Sequence, residues 1–218
     1  MIQTMKGIRG FTLIEVVVVL IVVGYVTSKT IYPVTAALTH TLIKKSLAKQ
    51  EFIIEALYGY TIIHEHLPWA DTDGDGIGNA GALIGTVPYA DLGVNGKNAW
   101  GIPFKYIVDI KYTSGNAGTN KITVHTWPPT LEIKRSWGED TGGADMTDTR
   151  KQLVPAIVLD TGTALLTSQA ETENNDGDST FVDESYIPET NDDVVLTINH
   201  NILMDRMMNK AKLLIFGN

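Results

Sequence analysis

Hydrophobic positions fall into three regimes along the chain. From Phe11 to about Ser28 they are nearly continuous, with Val16-Val17-Val18-Val19-Leu20-Ile21-Val22-Val23 at the centre and one acid, Glu15, inside the run. From residue 34 to about 66 they recur at helical spacing. Ile43, Leu47, Ile54 and Leu57 share one face, and Lys44, Lys45, Lys49 and Glu51 lie off it. Beyond Pro68 they come in short runs bounded by Gly, Pro, Asn and Asp, the pattern of strands and turns.

The first regime predicts a helix. A spanning helix needs roughly 20 apolar residues, and this run reaches that length if Thr30, Ile31 and Tyr32 contribute. Val and Ile are weak helix formers in water. In lipid the helix is what satisfies the backbone groups, so propensity matters less. Joined to the second regime, Phe11 to His66 would form a rod of roughly 80 Å. Gly24 and Pro33 are the breakers in it, costing roughly 1 and 3 kcal/mol in a helix interior. They mark points where the helix bends or stretches, or where it divides into two helices at Pro33.

The remainder predicts a sheet. Phe104, Tyr106, Val108 and Ile110 alternate with Lys105, Asp109 and Lys111, the mark of a half-buried strand. Gly115 to Gly118 reads as a turn. Ile122 and Val124 suggest a second strand and Leu131 and Ile133 a third. Trp137 to Gln152 is polar and reads as a surface loop. Val154 to Leu159 is a buried strand, Val194 to Ile198 a last strand, and residues 201–214 a closing helix with Leu203, Met207, Ala211 and Leu214 inward. The fold class is α+β, with a long N-terminal helix packed on a small antiparallel β-sheet domain. The segments are a leader at 1–10, an apolar helix at 11–32, its amphipathic continuation at 33–66, and a β-rich domain at 67–218.

Charge narrows the function. The formal net charge is −8 over 218 residues. Without Lys6 and Arg9 the 17 basic side chains fall to 15 against 25 acidic ones. An acidic domain is a poor generic binder of nucleic acid. The chain has no cysteine, so no disulfide pins its C-terminal region. It carries no Ser/His/Asp elbow and no phosphate-binding glycine loop. No enzyme is expected.

The N-terminus is more specific. Lys6 and Arg9 precede Gly10, then Phe11-Thr12-Leu13-Ile14-Glu15 opens the apolar run. No small-residue cleavage site follows that run, unlike a secretory signal. The combination resembles the prepilin signature of type IV pilins and type II secretion pseudopilins. The resemblance implies a cut after Gly10 by a membrane-embedded prepilin peptidase and methylation of the new N-terminal Phe11. It implies a single-pass inner-membrane precursor, its leader held in the cytoplasm by the basic residues. It further implies an inner-membrane assembly platform as partner, and copies of this chain or other pilins in a helical filament on the cell surface or in the periplasm. A carboxylate inside a membrane helix costs about 2–3 kcal/mol and marks function. The resemblance gives Glu15 a partner, the Phe11 amine of a neighbouring subunit. The plainer alternative is that Glu15 snorkels to the interface of a simple anchor.

The block Pro88-Tyr89 and Leu92-Gly93, then Asn98-Ala99-Trp100-Gly101-Ile102-Pro103-Phe104-Lys105-Tyr106, also looks like one in pseudopilins, where Asp usually stands at the Asn98 position. Physically it reads as a loop stapled by aromatics onto the helix. The signature alone leaves three readings: a pilin or minor pilin, a pseudopilin of a secretion or DNA-uptake machine, and a non-assembling, membrane-anchored calcium-binding module.

Two acidic loops carry the candidate metal chemistry. Asp71, Asp73 and Asp75 alternate, with Gly74 and Gly76 between and after them and Asn79 beyond. Alternate oxygens on a tight loop can converge on one Ca2+. Ala82 stands where an EF-hand places its bidentate acid, so further ligands would come from Asn79, backbone carbonyls or Asp91. Asn174, Asp176 and Asp178 repeat the pattern. The alternative for both is a well-hydrated Asp/Gly turn. His64 and His66 form a His-x-His pair. On a helix, positions two apart face different directions, which favours a polar helix end over a metal site.

Overall fold

The computed structural model describes residues 11–114, 128–135, 152–163, 168–177, 180–183 and 193–216, with backbone alone for 29–36, 135, 169–170 and 211–216. Two compact units divide the chain, Met1–Leu42 and Ile43–Asn218. The division falls inside the first helix.

α1 runs from Leu13 to His64 as one helix, and its assignment continues through Gly24 and Pro33. Thr12 caps it, its hydroxyl accepting from the Glu15 N–H at 3.3 Å. This is the acceptor half of a Thr-x-x-Glu capping box. In the first unit the apolar side chains face outward, Phe11 being 79% and Ile21 66% exposed.

In the second unit α1 buries Ser46, Gln50, Ile53, Leu57 and Thr61. The predicted stripe of Ile43, Leu47, Ile54 and Leu57 is therefore displaced by one position over part of its length. Leu57 is buried, Ile43 and Ile54 are half-buried, and Leu47 is exposed. The reason is that three polar residues point inward and make hydrogen bonds, although Gln50 Oε1 is buried without a partner among the described residues. Gln50 Nε2 donates to the Val158 and Val194 carbonyls at 2.7 and 2.8 Å. Thr61 Oγ1 donates to Leu57 O within the helix. The helix ends where Glu65 takes a positive φ of 64° and donates its N–H to Thr61 O. Pro68 prevents resumption.

The first sheet has strand order β1-β2-β5-β7. Its strands are β1 (Ile84–Thr86), β2 (Lys105–Val108), β5 (Ala156–Asp160) and β7 (Val194–Thr197), all antiparallel. A second sheet, β4-β3-β6, joins β3 (Leu131–Arg135) to β4 (Gln152–Val154) antiparallel and to β6 (Thr180–Asp183) parallel. Short helices α2 (Tyr89–Leu92) and α3 (Gln169–Glu173) lie in the connections, and α4 (His200–Phe216) closes the chain.

β2 is not half-buried as its alternation predicts. Tyr106 and Val108 join a core with Ile53 and Leu57 of α1 and Leu203 of α4. Ile107, between them, joins a second core with Ile133, Val154 and Phe181. β5 divides likewise, Ala156 and Val158 to one side and Ile157 and Leu159 to the other. A strand covered on both faces reads as a continuous apolar run, which is what Ala156-Ile157-Val158-Leu159 is.

The predicted strand through Ile110 and Lys111 stops at Val108. Asp109 accepts from the Lys111 N–H at 2.9 Å and starts a 3-10 turn over Ile110–Tyr112. The single predicted strand Val154 to Leu159 is two strands parted at Pro155, which has no N–H to give a ladder. The last strand and the closing helix stand near their predicted places, with Leu203 buried and Met207 half-buried. The predicted turn at Gly115 to Gly118, the strand at Ile122 and Val124, and most of the loop from Trp137 lie outside the described residues.

α4 is fastened to the outer part of α1. Arg206 grips Glu55 with two bonds of 2.7 and 2.9 Å and lies 4.3 Å over the Tyr58 ring. The Tyr58 hydroxyl accepts from Asn199 N, and Tyr112 OH meets His200 Nδ1 at 2.7 Å.

Candidate functional site

The N-terminal site is a helix start. Phe11 and Thr12 precede the first helical residue, and Glu15 lies in the first turn, where a carboxylate complements the helix dipole. Glu15 is exposed. Gly10 lies outside the described residues. Among the described residues no helix is long and apolar enough to cross a membrane. Side chains of the apolar run are described only to Ser28, short of the roughly 20 residues a span needs.

The acidic loop is built around Asp71. Its backbone pairs with Thr86, exchanging bonds of 3.0 and 2.7 Å. Its side chain is buried. Oδ1 accepts from the N–H groups of Asp73 at 3.1 Å and Gly74 at 2.7 Å. Oδ2 accepts from Gly76 N at 2.9 Å and from the Thr86 hydroxyl at 3.3 Å. Burial opposes ionisation of Asp71, but the donors of Gly74, Gly76, Asp73 and Thr86 outweigh it and hold the carboxyl below its ordinary value. Asp73 Oδ1 accepts from Asp75 N, and Asp75 Oδ1 from Ile77 N. Gly76 has φ 87°, and a Cβ there would lie 2.6 Å from the Tyr89 ring.

The loop brings the three acids together. One carboxylate oxygen from each of Asp71, Asp73 and Asp75 lies within 4.8 Å of the others. Asn79 stands differently. Its Oδ1 accepts from Thr72 N and Oγ1 at 2.6 and 2.8 Å, and its Nδ2 donates to Asp73. It clamps the loop. Asp91 Oδ2 likewise accepts from Gly78 N.

In the second loop Asn174 is buried and tied to β6. Its Oδ1 accepts from Val182 N at 2.7 Å, and its Nδ2 donates to Val182 O and to Asp193. Asp176 is exposed, and Asp178 lies outside the described residues. Lys105 bonds Asn175 of this loop. Burial lowers the Lys105 pKa, and Asp193 partly restores it.

The Asn98 block is held to α1 by polar bonds as well as by the buried rings of Phe104 and Tyr106. Lys49 Nζ donates to the Lys97 and Asn98 carbonyls at 2.9 and 3.0 Å, and Ser46 Oγ accepts from Ala99 N at 2.8 Å. Asn98 is buried with every function used. Its Nδ2 donates to Asp160 Oδ1 at 2.7 Å and to Gly162 O, and its Oδ1 accepts from Trp100 N and Ile102 N. An amide suits this position, because its N–H donates to the facing Asp160 carboxylate. Asp160, Ser46 and Gln50 are the working residues that the hydrophobic pattern did not indicate.

No curated protein and no solved structure matches the chain. Residues 5–24 match the family model for the prokaryotic N-terminal methylation motif, which is the signature of type IV pilins and pseudopilins.

Proposed function

We propose that this chain is a structural subunit, a pilin or minor pilin, of a type IV pilus-like filament. Its precursor sits in the inner membrane with the leader in the cytoplasm. Prepilin peptidase cuts after Gly10, Phe11 is methylated, and the N-terminal helix carries the subunit from the membrane into the filament. The motif points to a structural subunit rather than a catalyst. The observation that carries the reading is the outward-facing apolar surface of residues 11–26, most of which lies within that motif. In water such a surface is untenable. Lipid covers it before assembly and neighbouring helices cover it afterwards. Glu15 then meets the Phe11 amine of the next subunit, which removes an unpaired charge and fixes the stagger. Glu15→Ala tests this. Membrane insertion persists and incorporation into sheared filaments is lost. Incorporation at the wild-type level would overturn the assembly role. A pseudopilin of a secretion or DNA-uptake machine is the nearest rival, favoured by the Trp100-Gly101-x-Pro103 block. Filaments confined to the periplasm would decide for it.

Calcium belongs to the same proposal at the first acidic loop. The converging oxygens of Asp71, Asp73 and Asp75 fit a hard cation. Asn79 Oδ1 is shared with Thr72, as the Asp71 oxygens are with backbone N–H groups, and carbonyls and water complete the shell. Calcium stabilises the chain by mass action. A chelator lowers the melting temperature and added Ca2+ restores it. An unchanged melting curve removes the ion.

A further inference from the structure

The turn at the end of α1 gathers two imidazoles that a continuous helix would have separated. α1 stops at His64, and Glu65, with φ 64°, reverses the chain. His66 thereby returns toward the helix it has just left. The rings of His64 and His66 are 6.1 Å apart with their planes at 50°. Tyr60 stacks on His64 at 3.9 Å and meets His66 edge-on at 5.9 Å.

Both rings are held through the same nitrogen. His64 Nδ1 lies 3.1 Å from Tyr60 O, and His66 Nδ1 lies 3.0 Å from Leu67 O. A carbonyl oxygen only accepts, so each Nδ1 carries the proton. In the neutral ring Nε2 then holds the lone pair. Among the described residues neither Nε2 has a protein partner. An imidazole whose Nδ1–H is tied to a carbonyl while Nε2 stays open is how proteins present histidine to a metal. Metal–nitrogen distances of about 2.0–2.1 Å place the ring centres of a chelating pair about 5–6 Å apart. The observed separation of 6.1 Å lies at the edge of that range.

We propose that His64 and His66 form a two-imidazole site for a late first-row divalent cation such as Zn2+, Cu2+ or Ni2+, separate in ligand chemistry from the acidic loop. Imidazole nitrogen suits these borderline ions, and carboxylate oxygen suits Ca2+. Water completes the coordination shell.

The test is calorimetric titration of ZnCl2 into the untagged full chain in detergent, with excess Ca2+ occupying carboxylate sites. One Zn2+ binds per chain. His64→Ala and His66→Ala each weaken it at least about tenfold, because the chelate is lost, and the double variant is no worse than either. His40→Ala leaves it unchanged. Cu2+ bound to the unmodified chain shows two equatorial nitrogens in its electron paramagnetic resonance spectrum. That readout stands even if a variant perturbs the helix end. Zn2+ binding that survives either single variant, or a copper spectrum with oxygen ligands alone, overturns the site.

Discussion

Asn98 and Asp71 show how single polar atoms decide local structure. Asn98 faces the buried Asp160 at 2.7 Å through its amide N–H. Asn98→Asp sets two carboxylates against each other. A buried polar group left without its partner costs about 1–3 kcal/mol, and unpaired buried charge costs more. We expect at least that loss in urea denaturation at pH 7, shrinking as the pH falls and one carboxyl protonates. Equal stability of the variant and the parent at pH 7 would show that the site tolerates charge. Asp71 has the opposite sign of dependence. Its carboxyl is held below the ordinary 3.8 of the unfolded chain. Its contribution is complete above that value and disappears as the pH falls through the native one. The acid limb of the stability curve below about pH 4 should therefore be shallower in Asp71→Asn. An unchanged limb assigns acid sensitivity to other carboxylates.

At the scale of elements, Asp109 joins three pieces. It ends β2, caps the 3-10 turn through Lys111 N, and binds Thr130 N and Oγ1 at 2.6 and 2.7 Å ahead of β3. Asp109→Ala removes one acceptor group from three donors and should cost about 2–3 kcal/mol, whereas Asp109→Asn retains part of it. Matching thermal shifts for the two variants would refute the bonding role. Much of this element order was legible in sequence. The helical period, the apolar run of β5, the strand at β7 and the closing helix all follow from hydrophobic spacing. The inward face of α1 did not, because Ser46, Gln50 and Thr61 are polar and count against burial until their partners are known. Nor did the stop at Val108, which needs Thr130 to satisfy Asp109. The parallel pairing of β3 with β6 joins residues nearly fifty apart, beyond any local pattern. The reversal at Glu65 carries no glycine to announce it.

For the whole molecule, the N-terminal signature was readable because it depends on local residue order alone: Gly10, Phe11 and Glu15 at fixed spacing before an apolar run. The acidic loop was half legible. Alternation placed Asp71, Asp73 and Asp75 together, but only the folded loop shows Asn79 occupied by Thr72. Asn174 in the second loop serves β6 in the same way. Their common lesson is that an asparagine among acids often satisfies backbone.

The central claim is passage through the prepilin pathway. Intact-mass and fragment analysis of the N-terminus, on chain recovered from membranes and from sheared filaments, tests it most directly. The account predicts N-methyl-Phe11 as the first residue in both fractions. An intact Met1, or a cut beyond the apolar run, would contradict it and leave a plain anchor or a secreted protein.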